Sequence, residues 1–392
     1  MTPPGRRPAL RRPVLSRPAL RGARRRLLIG GDRALRGFVN ALQWWGRDGA
    51  SVVDQAPYDV VHRDGKLQVR RYVSLDGEED WPMGRSTIPY RPPRQSVPVL
   101  LVPPLMVRPF IYDLSPDRSY VRTLLAAGFD VFVVDFGEPD HSDRHLTLDH
   151  YVTSWMPQAI EAACNSSGSD GVAVVGYCMG GLFALMCAAT RETERVRAIV
   201  TIGAPIDSHK MALVSFFVRR THDQIDIVSR HIGNVPGALS SRFFRLVSPM
   251  KRFTRYGDLF LNLWNDEYVD GFDALTQWTE NFVDFPRDAF RQLMRDFMHG
   301  NQLRAGTMEI AGEAVDLGRI TCPVLAFAGR GDQIVPPSAA RELLDLIGSV
   351  EKAFVEVPGG HMGVFAGRHA PDMVWQRSAV WLAAQTGGSA VR

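Results

Sequence analysis

A sharp turn between a strand and a helix is the feature that most constrains this chain. Residues 172–187 read VAVVGYCMGGLFALMC, with an apolar strand before the turn and an apolar helix after it. Small residues stand two places on either side of Cys178, at Gly176 and Gly180. This spacing is typical of the nucleophile elbow, in which glycines allow a strained turn to hold one reactive side chain above a sheet. The sequence therefore predicts an α/β fold built around a nucleophile, with cysteine where serine is commoner.

Short apolar strands alternate with helices on both sides of this turn. Before the turn, KLQVRRYVSL, STIPYRP, SVPVLLVPPL and FDVFVVDFG read as strands, and YVRTLLAAG and a segment over about 147–164 read as helices. After the turn, the strands are RVRAIVTIGAPI, CPVLAFAGRGD and KAFVEVPGGH, and the helices are PSAARELLDLIG and PDMVWQRSAVWLAAQ. This alternation predicts a mostly parallel central sheet flanked by helices.

The alternation stops between about His209 and Gly306. This segment has a helical pattern and many aromatic residues but no buried strand. We therefore predict a largely helical cap over the carboxyl edge of the sheet. A helix is also expected within RALRGFVNALQWWGRDG, which follows the amino-terminal tail. The predicted division is a basic, disordered tail of residues 1–35, a core of 36–206 and 306–392, and a cap of 207–305.

The amino-terminal tail has an unusual charge. Its first 26 residues contain nine arginines and no acidic residue. Without these nine, the 46 basic residues of the chain fall to 37, against 42 acidic ones. Three interpretations of the tail remain open. It is an arm for an anionic surface such as nucleic acid, phospholipid or a granule coat, a solvated disordered segment, or an over-extended gene start. For the folded body we expect no nucleic-acid partner.

The cysteines indicate neither a zinc site nor a disulfide framework, because they lack paired spacing. They are Cys164, Cys178, Cys187 and Cys322. His141 and His145 have the spacing of helical metal ligands but no third ligand, so no metal is expected. Free thiols and the lack of a signal peptide predict a cytoplasmic protein. The longest apolar run, VPVLLVPPLMV at 97–107, is too short to span a bilayer, and we predict no transmembrane segment.

An elbow nucleophile needs a histidine base and an acid that orients it, and both follow the nucleophile along the chain. His361 stands just past the last strand, after two glycines, and Asp332 follows the preceding strand through a GRGD turn. Because both stand at carboxyl ends of strands, we predict a catalytic triad of Cys178, Asp332 and His361. His369 lies in a polar loop, and Asp135, which precedes the elbow, is expected to serve local structure.

The chemistry also needs hydrogen-bond donors for a developing oxyanion. The backbone N–H of Met179 is the expected first donor, and the second is expected from the loop around Leu105 to Val107. Sulfur at the elbow favours acyl transfer over hydrolysis. If the substrate is a thioester, transfer of its acyl group to cysteine is nearly isoenergetic and keeps the group activated, whereas a serine ester would be more stable.

Five segments between about residues 60 and 385 carry a resemblance to a known family. They are PPLMVRPFIYDLSPDRSYVRTLLAAGFDVFVVDFGEPDHSDRHLTLDHY, GYCMGG, AFRQLMRDFMHGNQL, VDLGRITCPVLAFAGRGDQIVPP and PGGHMGVF. They resemble the catalytic subunit of class III poly(3-hydroxyalkanoate) synthases, which have the α/β-hydrolase fold. The resemblance implies an acyltransferase that polymerises (R)-3-hydroxyacyl-CoA and releases CoA. It also implies that Cys178 carries the acyl group, that His361 is the general base and that Asp332 is its partner.

The same resemblance implies partners and a location. CoA is part of the substrate and a product, so no separate cofactor is expected. We expect a second, non-catalytic synthase subunit and an association with cytoplasmic polyester granules. Apart from the resemblance, a homodimer through the cap is a further possible association. Two alternatives remain open at this stage. One is a cysteine-dependent (thio)ester hydrolase resembling dienelactone hydrolase, which also has a GYCxGG elbow, and the other is a non-catalytic granule-binding protein on a hydrolase scaffold.

Overall fold

A computed structural model of the chain describes most of the predicted core. The described residues are 53–54, 56–72, 81–83, 86–88, 95–115, 118–190, 193–211, 233–247 and 266–386. The chain divides into two compact units, residues 1–50 with 253–269, and residues 51–252 with 270–392. The tail of residues 1–35 and the helix expected over 33–49 lie outside the described residues.

The central sheet has eight strands in the described part of the chain, in the order β1-β2-β4-β3-β5-β6-β7-β8. Strands β3 to β8 run parallel to one another, and β2 is antiparallel to both β1 and β4. This arrangement confirms the predicted mostly parallel sheet. The strands are β1 Tyr58–Asp64, β2 Leu67–Tyr72, β3 Val99–Val102, β4 Val131–Asp135, β5 Val172–Tyr177, β6 Val196–Ile202, β7 Val324–Gly329 and β8 Lys352–Val357.

Helices and short hairpins connect these strands. The α-helices of the described residues are α1 Tyr120–Ala126, α2 Leu148–His150, α3 Met156–Ser167, α4 Met179–Ala189, α5 Gly237–Val247, α6 Asp266–Glu280, α7 Arg287–Gln292, α8 Gln302–Ala305, α9 Pro337–Arg341, α10 Leu343–Leu346, α11 His361–Ala366 and α12 Arg377–Thr386. Wider π-type turns occur at Tyr151–Trp155, Leu293–His299 and Pro371–Gln376. Short strand pairs join Trp81–Met83 to Ser86–Ile88, Asp113–Ser115 to Arg118–Ser119, and Glu309–Ile310 to Glu313–Ala314.

Both faces of the sheet are covered. Along β3, Leu100 and Val102 belong to one core cluster, and Val99 and Leu101 belong to the other. The first cluster includes residues of α3 and α4, and the second includes residues of α1, α11 and α12. Burial on both faces explains why the parallel strands read as continuous apolar runs and not as alternating ones.

The sequence did not predict the edge strand β1. Its side chains are half-buried or exposed, so it lacks the apolar run that identifies the inner strands. A signal was present at Gly65, because glycine at the first position of a two-residue loop is typical of a tight hairpin turn. Gly65 adopts a φ of 56° there, and Asp64 pairs with Leu67 across the turn.

Between His209 and Gly306, the described residues form helices α5 to α8 and one isolated bridge between Val235 and Phe285. Trp278 and Phe297 are buried. The described parts of this segment therefore have the predicted helical character. The boundaries of 207–305 for the cap remain a prediction.

The elbow packs so closely that two of its glycines have no room for a side chain. A Cβ atom on Gly176 would lie 2.4 Å from the carbonyl carbon and oxygen of Gly180. A Cβ atom on Gly180 would lie 1.9 Å from the carbonyl oxygen of Val102 in β3. Both distances are far inside van der Waals contact with backbone, which cannot move aside as a flexible side chain can. These glycines thus fix how deeply the start of α4 sits against the sheet.

We expect the substitution Gly180→Ala to destabilise the fold by about 2–4 kcal/mol, because the added methyl must displace the backbone of Val102. Gly363→Ala is the matched control, since a Cβ atom at Gly363 in α11 meets no atom within 4 Å. That control should gain up to about 1 kcal/mol from the lower flexibility of its unfolded chain. Urea unfolding of both variants measures the difference, and equal stabilities would contradict the packing argument.

Candidate active site

Cys178 occupies the strained position of the elbow between β5 and α4. Its φ is 52° and its ψ is −118°, a combination that is rare for residues other than glycine. The backbone holds this conformation through hydrogen bonds: the N–H of Cys178 donates to the carbonyl of Ile202 at 2.8 Å, and its carbonyl accepts from Gly181 at 3.0 Å. The side chain is half-buried. The turn therefore presents a thiol that a substrate can reach on a rigid support.

Asp332 lies in the turn that follows β7, where its carboxylate is completely oriented by its neighbours. Its Oδ1 atom accepts hydrogen bonds from the backbone N–H groups of Ile334 and Val335, both at 2.8 Å. Its Oδ2 atom lies 2.7 Å from Nδ1 of His361. The side chain is fully buried. With one oxygen held by the backbone, the other is left to orient the histidine.

His361 begins α11, directly after Gly359 and Gly360. Gly359 has a φ of 133°, a value that residues with a side chain rarely adopt. A proton on Nδ1 satisfies the carboxylate of Asp332, so Nε2 is the nitrogen left for the thiol of Cys178, whose charge acts on the ring. Nε2 is buried and has no hydrogen-bond partner among the described residues. The structure thus brings together the three residues predicted from the sequence.

Opposing effects set the pKa of His361. Burial lowers the pKa, because the charged ring loses its hydration, but the negative charges of Asp332 and Cys178 raise it and outweigh burial. As a result, the pKa lies well above its ordinary value of 6.5. The surroundings therefore favour the protonated form of His361, which is the form that the ring takes when it accepts a proton.

The other three cysteines have no such surroundings. Burial raises the pKa of Cys322 to about 11 and also raises the pKa of Cys164 above its ordinary value. Cys187 is completely buried in the core. Because the thiolate is the reactive form, Cys322 and Cys164 are held as unreactive thiols at neutral pH.

The first predicted oxyanion donor, the N–H of Met179, immediately follows Cys178 along the chain. Met179 is the first residue of α4, where an N–H group has no carbonyl within the helix to bind. In the predicted second loop, the N–H of Val107 already donates to the carbonyl of Pro104 at 3.1 Å. Leu105 and Met106 therefore remain as the candidates for the second donor.

The remaining residues singled out in the sequence lie elsewhere. Asp135 binds Arg70 at 2.6 Å and accepts from the N–H of Gly137 at 2.9 Å, so it has the expected role in local structure. His141 and His145 are the ends of a short 3-10 helix. Across the ranges that the structure describes, no group of three or more possible ligands is arranged to hold a metal ion. Within the same ranges no helix is long and apolar enough to cross a membrane.

Sequence reasoning missed one residue beside the triad, Tyr177. Its ring packs 5.4 Å from the ring of His361, measured between centroids, and its side chain is buried. Tyr177 ends an apolar strand, and nothing in the spacing of the sequence distinguishes it from an ordinary core residue. The signal that could have found it is its position immediately before the nucleophile.

A polar cavity of about 770 Å³ opens at the ends of β2 and β4, and no triad residue lines it. Its charged lining residues are Arg63, Lys66, Arg70, Arg108, Asp54, Asp135 and Glu138. Several of the cations already have carboxylate partners: Arg70 binds Asp54 at 2.9 Å, and Arg108 binds Glu138. The cavity is therefore of mixed charge.

The sequence of this chain is similar to those of several known proteins. Residues 108–367 match the family model described as the alpha/beta hydrolase fold. The chain is 32% identical over 333 residues to the poly(3-hydroxyalkanoate) polymerase subunit PhaC of Haloferax mediterranei, covering 84% of this chain and 64% of that protein. It is 33% identical over 332 residues to the protein of the same name from Allochromatium vinosum, covering 83% of this chain and 88% of that one.

Solved structures support the fold. A soluble variant of monoglyceride lipase from Saccharomyces cerevisiae superposes with a TM-score of 0.51, covering 88% of this chain and 99% of the lipase. The two sequences are only 16% identical, so this likeness concerns the arrangement of strands and helices and not the reaction.

We expect the Asp332→Asn variant to lower the pKa of His361, because burial would then act without the opposing carboxylate. In the folded wild type, the pKa of His361 lies above its ordinary value of 6.5. Protonation of His361 therefore stabilises the fold, and this stabilisation is fully present below pH 6.5. This stabilisation is lost as the pH rises through the folded-state pKa. The stability difference between wild type and Asp332→Asn should therefore shrink as the pH rises from about 5.5 to 9.

Imidazole NMR titration, with His361 assigned through a His361→Gln variant, measures the pKa directly, and urea unfolding across the same pH range measures the stability. A His361 pKa that is unchanged in Asp332→Asn would show that the carboxylate is not the group that raises it.

Proposed function

The chain belongs to the poly(3-hydroxyalkanoate) polymerase family within the α/β-hydrolase fold, and we propose that it polymerises (R)-3-hydroxyacyl-CoA with release of CoA through Cys178, His361 and Asp332. The relatives named as polymerase subunits support the reaction. One observation carries the assignment of residues: the 2.7 Å hydrogen bond between His361 and Asp332, beside a cysteine held at a φ of 52°.

In the first step, the substrate acyl group moves from CoA to Cys178. Nε2 of His361 takes the thiol proton, and Sγ attacks the carbonyl carbon of the thioester. The carbonyl oxygen becomes negatively charged, and the N–H of Met179 with one donor of the Leu105–Met106 segment stabilises that charge. The bond between the carbonyl carbon and the CoA sulfur then breaks, and CoA leaves as a thiol with the proton from His361.

In the second step, an ester bond replaces the acyl-cysteine. Nε2 of His361 takes the proton of a 3-hydroxyl group, and the hydroxyl oxygen attacks the carbonyl carbon on Cys178. A carbon–oxygen bond forms, the carbon–sulfur bond breaks, and the proton on His361 returns to the sulfur. Because a thioester is consumed and an ester is formed, this step runs downhill, whereas the first step exchanges one thioester for another.

Asp332 contributes by orientation and charge. Its bond to Nδ1 keeps the proton on that nitrogen and leaves Nε2 free to accept one. Its Oδ1 atom is held by two backbone N–H groups, so the carboxylate cannot rotate away when the ring becomes charged. No cofactor is needed in this scheme, since CoA enters with the substrate and leaves as a product.

The proposal extends to partners. The relatives of Haloferax mediterranei and Allochromatium vinosum are named as subunits, which supports a second, non-catalytic subunit for this chain. A polyester product is insoluble as it grows, and this supports an association with granules in the cytoplasm. We also propose that two copies associate through the cap.

Replacing Cys178 with alanine should abolish CoA release from 3-hydroxybutyryl-CoA, because no acyl-enzyme can form. Cys178→Ser should retain about 1% of the wild-type rate or less, because a hydroxyl is a far weaker acid than a thiol. His361→Gln should cost nearly as much as the loss of Cys178. Asp332→Asn should cost less, on the order of 10²-fold, since it disturbs mainly the orientation of the base.

Cys322→Ala is the matched control, because Cys322 is a half-buried thiol outside the triad and should keep the wild-type rate when replaced. Mass spectrometry after incubation with an acyl-CoA that lacks the 3-hydroxyl group should find the acyl group on Cys178. A label on Cys164, Cys187 or Cys322, or CoA release by Cys178→Ala, would overturn the assignment. Free 3-hydroxybutyrate in place of polymer would favour the hydrolase alternative.

The purified chain alone should polymerise slowly, and addition of the second subunit should raise the rate at least about 10-fold. The physical reason is that an obligate partner stabilises the competent conformation by mass action. Turbidity and CoA release, measured with and without the co-expressed partner at several protein concentrations, test this. Full processive polymerisation by the chain alone would contradict the proposal of a second subunit.

A further inference from the structure

We infer that Tyr177 is a positioning residue that holds His361 in line with Cys178. This inference rests on the triad proposed above. The hydroxyl of Tyr177 donates a hydrogen bond to the backbone carbonyl of His361 at 3.2 Å. Tyr177 is also the residue immediately before the nucleophile. One side chain therefore ties the end of the nucleophile's strand to the backbone of the base.

Ring contacts reinforce this hydrogen bond. The ring of Tyr177 stacks on Phe365 with centroids 4.4 Å apart and packs beside the His361 ring at 5.4 Å. Phe365 follows His361 by four residues, so both residues lie on the same face of α11. Trp278 closes the group with edge contacts at 5.7 Å to both Tyr177 and Phe365. The rings of Tyr177, Phe365 and Trp278 are at most 2% exposed, so their positions are set by close packing.

Asp332 and Tyr177 hold different parts of His361. The carboxylate of Asp332 fixes the rotation of the imidazole through Nδ1, whereas Tyr177 acts on the backbone carbonyl from which the side chain extends. Two glycines precede His361 and make that segment permissive. Neither the carboxylate nor the glycines fix the backbone of His361. The hydrogen bond from Tyr177 fixes it and so keeps Nε2 at a constant distance from the sulfur of Cys178.

The hydroxyl of Tyr177 remains a donor at every pH at which the enzyme works. Burial, together with the negative charges of Cys178 and Asp332, raises the pKa of Tyr177 well above its ordinary value of 10.0. The contact with His361 therefore does not titrate, and its loss requires a substitution.

Tyr177→Phe removes the hydroxyl and retains the ring. We expect the turnover number for CoA release to fall about 10-fold, because small displacements of a catalytic base are costly. The KM for the acyl-CoA should stay within about twofold, since Tyr177 is buried and its ring is retained in the variant. The pKa of His361 should fall relative to the wild type, because the ring lies farther from the charges of Asp332 and Cys178.

Tyr120→Phe is the matched control. Tyr120 is another fully buried tyrosine, its hydroxyl bonds to Ser378, and its ring stacks on Trp375 at 5.9 Å. This variant should lose a similar amount of thermal stability yet keep the wild-type turnover number and His361 pKa. An equal effect of both variants on turnover and on the His361 pKa would overturn the inference, as would wild-type values for Tyr177→Phe.

Phe365→Leu provides a second variant if Tyr177→Phe does not fold. It retains the hydroxyl but removes the stacked ring, and it should lower both the turnover number and the His361 pKa by smaller amounts. Unchanged values would contradict the inference. The titration of His361 requires no turnover, so it tests the role of Tyr177 independently of the proposed triad. If Cys178→Ala still released CoA, that result would overturn only the triad.

Discussion

The close approach of two backbone segments determines where the chemistry takes place. Gly180 at the start of α4 lies against the carbonyl of Val102, at a distance that no side chain could enter. Because β3 and β5 are adjacent and parallel, the loop that leaves β3 passes beside the elbow that leaves β5. The proposed second oxyanion donor in the Leu105–Met106 segment follows from this sheet order and from Gly176 and Gly180, since that segment belongs to the loop that leaves β3.

The same edge of the sheet gathers the other two members of the site. Strands β5, β7 and β8 are parallel, so the residues that follow their carboxyl ends meet at one edge. Burial there has opposite consequences for different groups. It makes an isolated thiol such as Cys322 harder to ionise, but for His361 the nearby negative charges overcome it. Where acid, base and thiol lie together, the low polarity of the surroundings strengthens the charges that make the site reactive.

Local signals in the sequence predicted most of this arrangement. Glycine spacing identified the elbow, and apolar runs followed by short polar turns located Asp332 and His361 at strand ends. Features that depend on contacts between distant segments were not predictable in the same way. The edge strand β1 has no apolar run because its side chains are half-buried or exposed. The contact of Tyr177 with His361 joins residues 184 positions apart, and no local pattern marks it.

Whether such a site transfers or hydrolyses depends on which hydroxyl reaches the base. In the proposed cycle, His361 must activate the 3-hydroxyl of a substrate in preference to water, although water is far more abundant. Nε2 of His361 is buried, so a water molecule that approached it would lose most of its hydrogen bonds. A substrate hydroxyl is delivered by a chain that is already bound, and binding compensates for its desolvation. Burial of the base, together with an acyl group kept reactive on sulfur, therefore favours polymer growth over hydrolysis.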